Sequence, residues 1–314
     1  MLGYLARRVA MMVPTLLLVG ATVFVLMRLV PGDPVLVMLG DTAGEAEIAD
    51  LRAALGLDRP LPVQFALWLA RVARGDLGAS ITNGQPVLGL ILERFQVSAA
   101  IVLVAVAAAA LIAVPLGLLA AWRQGSAADL AIVAGATALV SVPSFWLGLL
   151  LLLLFGLKLG WLPVVGFVPF SENFAAALSF LILPIVTLIM IEIGVLTRMS
   201  RAAAIEVLRL DYVTHARAKG LPESRVLLRH VLPNAFAPTW TLIGLTLGNL
   251  LGGIAVLETV FTLPGLGRLL VDGIFARDYP VVQGCLLFIA LIYVLVNLVV
   301  DLMYPLFDPR VTAE

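Results

Sequence analysis

The sequence predicts an all-α integral membrane protein with six transmembrane helices. Of its 314 residues, 62% are hydrophobic and only 13% are charged, which leaves too little polar surface for a soluble domain. Six segments are long enough and apolar enough to cross the hydrocarbon core, which takes about 20 helical residues. Because a lipid-facing helix is apolar on every side, length rather than periodicity identifies these spans.

The predicted spans contain almost no charge. They are residues 9–27, 97–122, 130–157, 175–197, 231–257 and 281–300. Five of them lack Asp, Glu, Lys and Arg, and the fourth contains only Glu192, six residues before Arg198. A carboxylate this close to the predicted inner boundary can reach the interface or pair locally, so we assign Glu192 no proton-relay role.

The composition argues against several kinds of site. Lysine plus arginine equals aspartate plus glutamate, at 20 each, so nothing indicates a nucleic-acid partner. Cys285 is the only cysteine, which excludes an intrachain disulfide and a thiolate metal cage. The two histidines, His215 and His230, lie in one polar segment, so no metal site is predicted.

The first span is interpreted as an uncleaved helix rather than a signal peptide. Arg7 and Arg8 would suit either one. The apolar run that follows is too long for the hydrophobic region of a signal peptide, and no Ala-x-Ala cleavage site precedes Pro31.

The distribution of basic residues predicts that both termini lie in the cytoplasm. With that orientation, eleven Lys and Arg residues fall in inner segments and nine in outer ones. Five of those nine lie in the long segment 32–95, where the positive-inside rule is weak. The remaining four against eleven decide the orientation.

Residues 32–95 form the one sizeable aqueous segment, between an N-terminal span (residues 1–31) and a five-helix core (residues 96–314). Apolar residues at helical spacing predict two short amphipathic helices in it, which stop at Gly56 and Gly75. Their apolar positions are Ile48, Leu51 and Leu55 in the first helix and Phe65, Trp68, Leu69 and Val72 in the second. Both are too small for a core of their own, so we expect them to pack on the outer ends of the spans or to lie in the membrane interface.

Two spans carry small residues at every fourth position, which lets helix backbones approach closely. These residues are Ala105, Ala109, Ala113, Gly117 and Ala121 in the second span and Gly244, Gly248 and Gly252 in the fifth. For the second span we predict packing within the chain. In the fifth, Asn249 adds a polar group beside Gly248, so a face that lines a pathway and simple packing are both open interpretations.

The polar segment 199–230 is the most informative part of the chain. Residues 199–210 are predicted to continue the fourth span as a water-exposed helix. Asp211 then opens a short helix as its N-cap, and the basic second half of that helix suits the negative end of the helix dipole. Gly220 supplies the left-handed conformation that ends the helix, and Pro222 begins a turn.

This segment resembles the coupling loop, or EAA loop, of permease subunits in binding-protein-dependent ABC importers of the dipeptide, oligopeptide and nickel class. The family pattern is Glu-Ala-Ala, three residues, Gly, nine residues, Ile, one residue and Leu-Pro. Here Thr214-His215-Ala216 leads to Gly220 and then to His230-Val231-Leu232-Pro233, so the spacing is intact. The first Glu is absent, as is common in the peptide class, and histidine replaces isoleucine at position 230. Further stretches that resemble the same class are residues 31–34, 55–64, 75–80, 258–268 and 277–284.

The resemblance covers nearly the whole chain and implies a type I ABC importer permease (MetI-like) fold, with an outer helical insertion between helices 1 and 2. It implies that the short helix docks on an ATP-hydrolysing subunit. The implied docking residues are Asp211, Tyr212, Thr214, His215, Ala216, Arg217, Ala218, Lys219, Gly220, Leu221 and Pro222. The family's fifth helix lines a translocation pathway with a partner subunit, which implies that role for Gly244, Gly248, Asn249 and Gly252. Arg268 and Asp272 are implied to lie near a docked binding protein.

The expected partners follow from a missing ATPase motif and from the resemblance. No Gly-x-x-x-x-Gly-Lys-Ser/Thr loop occurs in it, so the energy has to come from another chain, and this chain is expected to bind no cofactor. The resemblance implies a paralogous permease, two ATPase subunits that bind ATP and Mg²⁺, and an extracytoplasmic solute-binding protein, in a bacterial or archaeal plasma membrane. Peptides, nickel chelates, glutathione, opines and oligosaccharides are all compatible as solutes.

Two rival functions fit the sequence less well. A secondary transporter usually shows inverted repeats and broken helices at the midplane, and six spans with no obvious internal repeat argue against it. An intramembrane hydrolase would need a buried base beside a serine, but both histidines lie in the polar segment.

Overall fold

The computed structural model describes residues 2–29, 35, 39, 44–54 and 56–307. Within these ranges the chain folds into helices, and no β-strand is formed. The helices are α1 (Leu2–Leu29), α2 (Glu45–Ala54), α3 (Leu61–Val72), α4 (Val87–Trp122), α5 (Ala127–Ser141), α6 (Ser144–Leu151), α7 (Phe174–Leu208), α8 (Asp211–Ala218), α9 (Glu223–Val226), α10 (Leu232–Gly253), α11 (Ala255–Val260), α12 (Leu266–Phe275) and α13 (Tyr279–Phe307). A π-helical segment follows α6 at Leu152–Lys158, and another follows α9 at Leu227–Val231.

Within the described residues, four single helices satisfy the requirements of a membrane crossing by length and composition, and up to five spans do if the bent pair is counted as one. Four are the single helices α1, α4, α7 and α13, and the fifth is α5 together with α6 and its π-helical segment. α10 has 22 residues, about 33 Å of helix, which is also a spanning length. It is less apolar than the others because two Asn and three Thr lie within it, and it packs along α7 and α13. The predicted fold class, an all-α multi-pass membrane bundle, is confirmed.

The third predicted span, residues 130–157, is not one continuous helix. Its two halves are bent by 96° relative to each other. α5 ends at Ser141, Val142 is extended with φ −90° and ψ 126°, and Pro143 leads into α6. A proline ring disfavours the helical conformation in the residue before it, which places the break at Val142.

Both predicted amphipathic helices of segment 32–95 are present, as α2 and α3. Each is followed within three residues by a glycine at positive φ, as the sequence predicts. α3 lies against the C-terminal end of α1, where Trp68 packs on Phe24 with ring centroids 5.6 Å apart. Arg28 also donates two hydrogen bonds to Gln64 Oε1, at 3.2 and 3.0 Å. The predicted apolar position Leu55, and the resemblance at residues 31–34, fall outside the described residues.

The apolar core lies between α4, α7 and α10. α4 and α7 share the most extensive contact in the bundle, and all five members of the predicted small-residue stripe on α4 are buried. Gly117 marks the closest approach, since a Cβ there would lie 2.7 Å from Ser200 Cβ and 2.8 Å from the Arg201 nitrogen. The prediction that this stripe serves packing within the chain is therefore confirmed.

Candidate functional site

The polar connection between α7 and α10 folds into a compact unit at one end of the bundle. α7 has 35 residues, about 52 Å of helix, so part of it extends beyond a hydrocarbon core of about 30 Å. α8 is attached near that end of α7 because Val213 and Ala216 are buried in an apolar cluster. Its buried members are Leu118, Ala121, Ala203, Ala204, Val207, Val213, Ala216, Val226, Val231 and Ala235. The helix therefore packs in one apolar cluster with residues of α4, α7, α9 and the start of α10.

The start of α8 corrects one sequence prediction. Asp211 is the first residue of the helix rather than its N-cap, and the N-cap position is occupied by Leu210, with no side-chain cap. A carboxylate in the first turn still interacts favourably with the positive end of the helix dipole. Asp211 therefore favours the helix through its charge and not through a capping hydrogen bond.

The end of α8 is built on Gly220, as predicted. Gly220 has φ +77°, its N–H donates to the Arg217 carbonyl at 2.9 Å, and the Leu221 N–H donates to the Ala216 carbonyl at 3.4 Å. These two bonds define a Schellman motif, in which the left-handed residue is usually glycine. No atom lies within 4 Å of the position that a Cβ of Gly220 would take, so this turn is open on its outer side.

The side of α8 that points away from the bundle is polar and exposed. Its exposed residues, which we call the α8 face, are Tyr212, Thr214, His215, Arg217, Ala218 and Lys219. Two interactions order it. The Tyr212 hydroxyl donates to the His230 carbonyl at 3.2 Å, and Arg217 forms two hydrogen bonds to Glu223, at 2.9 and 3.2 Å. The structure thus brings the predicted docking residues onto one surface, except that Ala216 is buried beneath the helix and Leu221 is half-buried at its end.

Two exposed apolar residues that the coupling-loop motif does not include lie beside the α8 face. Leu210 is 47% exposed and Leu228 is 59% exposed. Single exposed leucines are common on any protein surface, so these two add apolar area beside the α8 face without marking a binding site by themselves. Their sequence signal is weak, because a leucine in a helical segment usually indicates a buried position.

The glycine stripe of α10 faces α13 of the same chain. A Cβ at Gly248 would lie 2.7 Å from the Tyr293 ring, and one at Gly252 would lie 2.7 Å from Ile289. At Gly244 a Cβ would overlap the side chain of Val300. Packing within the chain thus accounts for the three glycines, which is one of the two interpretations that the sequence leaves open. Asn249, by contrast, is exposed on α10.

At the end of the bundle opposite α8, a buried carboxylate joins three elements. Glu258 on α11 is 1% exposed. It accepts a hydrogen bond from Ser98 on α4 at 2.5 Å and one from the Arg268 N–H on α12 at 2.8 Å. Ser98 in turn accepts from the Leu266 N–H at 2.8 Å. Gly265 lies so close that a Cβ would overlap the carboxyl group, and this network therefore fixes where α12 begins.

The short helix after α11, α12, displays the pair implied to contact a binding protein. Arg268 Nε lies 3.7 Å from Asp272 Oδ2 in an exposed, i to i+4 arrangement, which contributes little to stability. Asp278 caps the start of α13, because the Val281 N–H donates to Asp278 Oδ1 at 3.4 Å. Asp278 also accepts from the Ser80 hydroxyl at 2.5 Å, so the start of α13 is joined to the loop before α4.

Across the described ranges, no group of three or more His, Cys, Asp and Glu residues is arranged to hold a metal ion. One end of the multi-pass bundle carries α8, an ordered helix with exposed basic residues. The opposite end is covered by the short helices α11 and α12, which Glu258 joins.

Comparisons with known proteins identify the family. Residues 113–313 match the family described as binding-protein-dependent transport system inner membrane component. Residues 1–103 match the N-terminal family of the same transport systems. The chain belongs to this family, as a peptide-class importer permease subunit. Such permeases carry no ATPase site, and ATP hydrolysis is performed by separate subunits.

The similar proteins cover the whole chain. A probable peptide ABC transporter permease of Sinorhizobium fredii, y4tP, is 41% identical over 98% of each chain. A di/tripeptide permease of Pseudomonas aeruginosa, DppB, is 39% identical over 99% of each. A glutathione permease of Pectobacterium atrosepticum, GsiC, is 41% identical over 99% of each. None of these findings favours a secondary transporter.

A solved structure shows the same fold. The inward-facing MetNI methionine ABC transporter contains a chain that superposes with a TM-score of 0.57 at 19% identity, over 70% of this chain and 97% of that one. At that identity the likeness concerns the fold alone. It confirms the predicted type I importer permease architecture.

Proposed function

We propose that this subunit forms half of the translocation pathway of an ATP-driven importer for peptides or a related small solute. Its similar proteins are described as permeases for peptides, di- and tripeptides, and glutathione. The observation that carries the proposal is the α8 face, which is ordered by the turn at Gly220 and held by apolar contacts in the polar connection between α7 and α10. The complete importer contains this chain, a paralogous permease, two ATPase subunits that bind ATP and Mg²⁺, and an extracytoplasmic solute-binding protein. Nickel chelates, opines and oligosaccharides are the other solute classes compatible with the sequence.

In this proposal the α8 face docks on an ATPase subunit. Tyr212, Thr214, His215 and Lys219 stand on the exposed side, and Leu210 and Leu228 provide an apolar border. Asp211, Arg217 and Pro222 shape the two ends of the helix, while Ala216 and Leu221 support it from beneath. Because α8 is anchored on α4, α7 and α10, a displacement of the docked ATPase would move the inner ends of three spans together.

The same proposal sets the orientation and the parts of the chain. The α8 end faces the cytoplasm, where ATP is available, and both termini lie on that side of a bacterial or archaeal plasma membrane. Residues 1–31 form the first span, residues 32–95 the extracytoplasmic insertion, and residues 96–314 the five-helix core with the coupling loop at about 199–230. The pathway role then falls to Asn249, an exposed amide within a span, with Gly244, Gly248 and Gly252 holding α10 against α13 behind it.

The importer assignment predicts the composition of the purified complex. The tagged chain, solubilised gently from its native membrane, is expected to bring with it a second permease and ATPase chains in fixed ratio, identified by mass. Reconstituted with its binding protein, this complex should take up solute only when ATP is supplied on the side of the membrane where the ATPase subunits lie. A chain that purifies alone, folded and able to transport in liposomes, would contradict the assignment and revive the secondary transporter.

We also propose that α12 contacts the docked solute-binding protein through Arg268 and Asp272. Arg268 is well placed for this because its backbone is fixed by Glu258 while its side chain reaches the surface. Arg268→Glu is expected to lower the ATP hydrolysis that the binding protein stimulates by about tenfold, since a reversed charge at an interface is repulsive. Lys158→Glu, the same charge change at another exposed position of the predicted outer side, serves as the control. Unchanged stimulation in Arg268→Glu would rule out this contact.

A further inference from the structure

An ion pair with a buried carboxylate joins α5, the first half of the bent span, to α7, near the end of α7 on which α8 rests. Arg201 Nε lies 2.6 Å from Asp129 Oδ1, and Arg201 Nη2 lies 2.8 Å from Asp129 Oδ2. The Asp129 side chain is 7% exposed and that of Arg201 is 25% exposed. Such a two-bond pair between a planar guanidinium and a carboxylate fixes orientation as well as distance.

Asp129 also stabilises the turn between α4 and α5 through hydrogen bonds. Its Oδ2 accepts the Gly125 N–H at 2.9 Å, and its own N–H donates to Ser126 Oγ at 3.3 Å, which caps α5. Gly125 has φ +79° in the short connection that follows α4. The carboxylate thus joins the end of α4, the first turn of α5 and the extension of α7 at one point.

α5 packs on α7 and α4, but few of its side chains are fully buried. Only Asp129 and Ala136 are buried among its 15 residues. Ala136 rests on α7 as well, because a Cβ at Gly194 would lie 2.6 Å from the Ala136 carbonyl oxygen. Both buried residues of α5 therefore contact α7. The one nearer to α8, Asp129, does so through the ion pair.

Arg201 lies on α7, seven residues before that helix ends at Leu208, about 10 Å along its axis. α8 begins three residues further on, at Asp211. Gly117 of α4 packs directly on Ser200 Cβ and on the backbone of Thr197 and Arg201, so this part of α7 is in close contact with α4. Arg201 is therefore close to the part of α7 on which α8 rests, because Ala203, Ala204 and Val207 share one apolar cluster with Val213 and Ala216.

We propose that the Asp129–Arg201 pair transmits the movement of α8 to the bent third span, and that both residues are positioning residues for the transport cycle. This inference rests on the proposed docking of α8. A buried ion pair is in itself weak evidence of stability, because desolvation offsets much of its attraction. Its geometric effect is what matters here, since without it the first turn of α5 has no buried contact with α7.

The test uses the whole importer in proteoliposomes, with the binding protein and the solute that purify with it. Asp129→Asn keeps the shape of the side chain but removes the charge. We expect the complex to assemble and to hydrolyse ATP, while solute taken up per ATP falls about tenfold, a typical size for the loss of coupling between two sites. Asp301→Asn is the matched control. It removes the 2.8 Å pair between Arg8 and Asp301, which joins α1 to α13 and does not involve α7, and it should change the uptake per ATP by less than about twofold.

The uptake per ATP is the deciding quantity, because a residue needed only for folding would lower uptake and ATP hydrolysis together. A ratio in Asp129→Asn within the range of the control would overturn the inference. If the single variant does not assemble, the double variant Asp129→Asn, Arg201→Gln leaves no unpaired charge, and it should assemble with the same low ratio. Failure of the double variant to assemble would also overturn the inference, in favour of a folding role only. Absence of ATP-driven uptake in the unmodified complex would instead contradict the proposed function.

Discussion

Gly220→Asp is expected to leave the protein inserted and folded while lowering ATP-driven uptake by about a hundredfold, because it places an unpaired charge in the surface that we propose docks on the ATPase. The position has φ +77°, a conformation that costs a non-glycine residue roughly 1 kcal/mol. No atom lies within 4 Å of the new Cβ, so the side chain meets nothing within the chain. The measurement is uptake by the reconstituted complex, beside the amount of this chain in the membrane.

Gly160→Asp is the control for Gly220→Asp. Gly160 has φ +64° and the same open surroundings, so the backbone cost is similar, but it lies in the connection after the bent span and far along the chain from α8. Its uptake should remain near that of the unmodified complex. Normal uptake by a stably inserted Gly220→Asp protein would remove the support for docking through α8.

Gly265→Ala is expected to destabilise the folded chain by about 3 kcal/mol, near the upper end of what overpacking costs. A Cβ at Gly265 would overlap the carboxyl group of Glu258, and that group cannot yield because Ser98 and the Arg268 N–H both hold it. The expected result is a lower thermal midpoint of the purified protein and a smaller folded fraction after solubilisation.

Two further variants test the reason for that loss. Gly89→Ala adds the same methyl group in α4 where nothing lies within 4 Å, and it should leave the midpoint unchanged or raise it slightly, since alanine favours a helix by about 1 kcal/mol over glycine. Combining Gly265→Ala with Glu258→Ala removes the overlap, so the two costs should not add. Strict additivity, or a normal midpoint in Gly265→Ala, would contradict the role assigned to Glu258.

Local features were predictable from the sequence because a few adjacent residues determine them. Apolar length alone indicates the spans, and glycine followed by proline after a basic turn indicates the end of α8. The Schellman motif at Gly220 confirms that prediction with two specific hydrogen bonds. The cap at Asp278 is of the same kind. At Asp211 the prediction was wrong by one residue, since a first-turn acid and an N-cap acid look alike in sequence.

Features that depend on distant parts of the chain were not predictable. Glu258 looks like an ordinary loop acid until its partner Ser98, 160 residues away, is known. Asp129 likewise reads as a first-turn acid, because Arg201 lies 72 residues further on. The glycine stripe of α10 has the same pattern whichever neighbour fills it, and only the fold shows that α13 does.

The bend in the third span has a consequence for how the chain can exist in a bilayer. At Val142 and Pro143 two helix ends meet near the middle of the span, and helix ends carry backbone groups without partners in their own helix. Hydrocarbon cannot hydrogen-bond them, so irregular backbone at this depth occurs only where protein or water covers it. Ser141 and Pro143 are exposed in the isolated chain. A single copy of this chain would therefore expose backbone groups without hydrogen-bond partners to the acyl chains. We expect its lifetime in the membrane to depend on the concentration of the subunits that cover this bend.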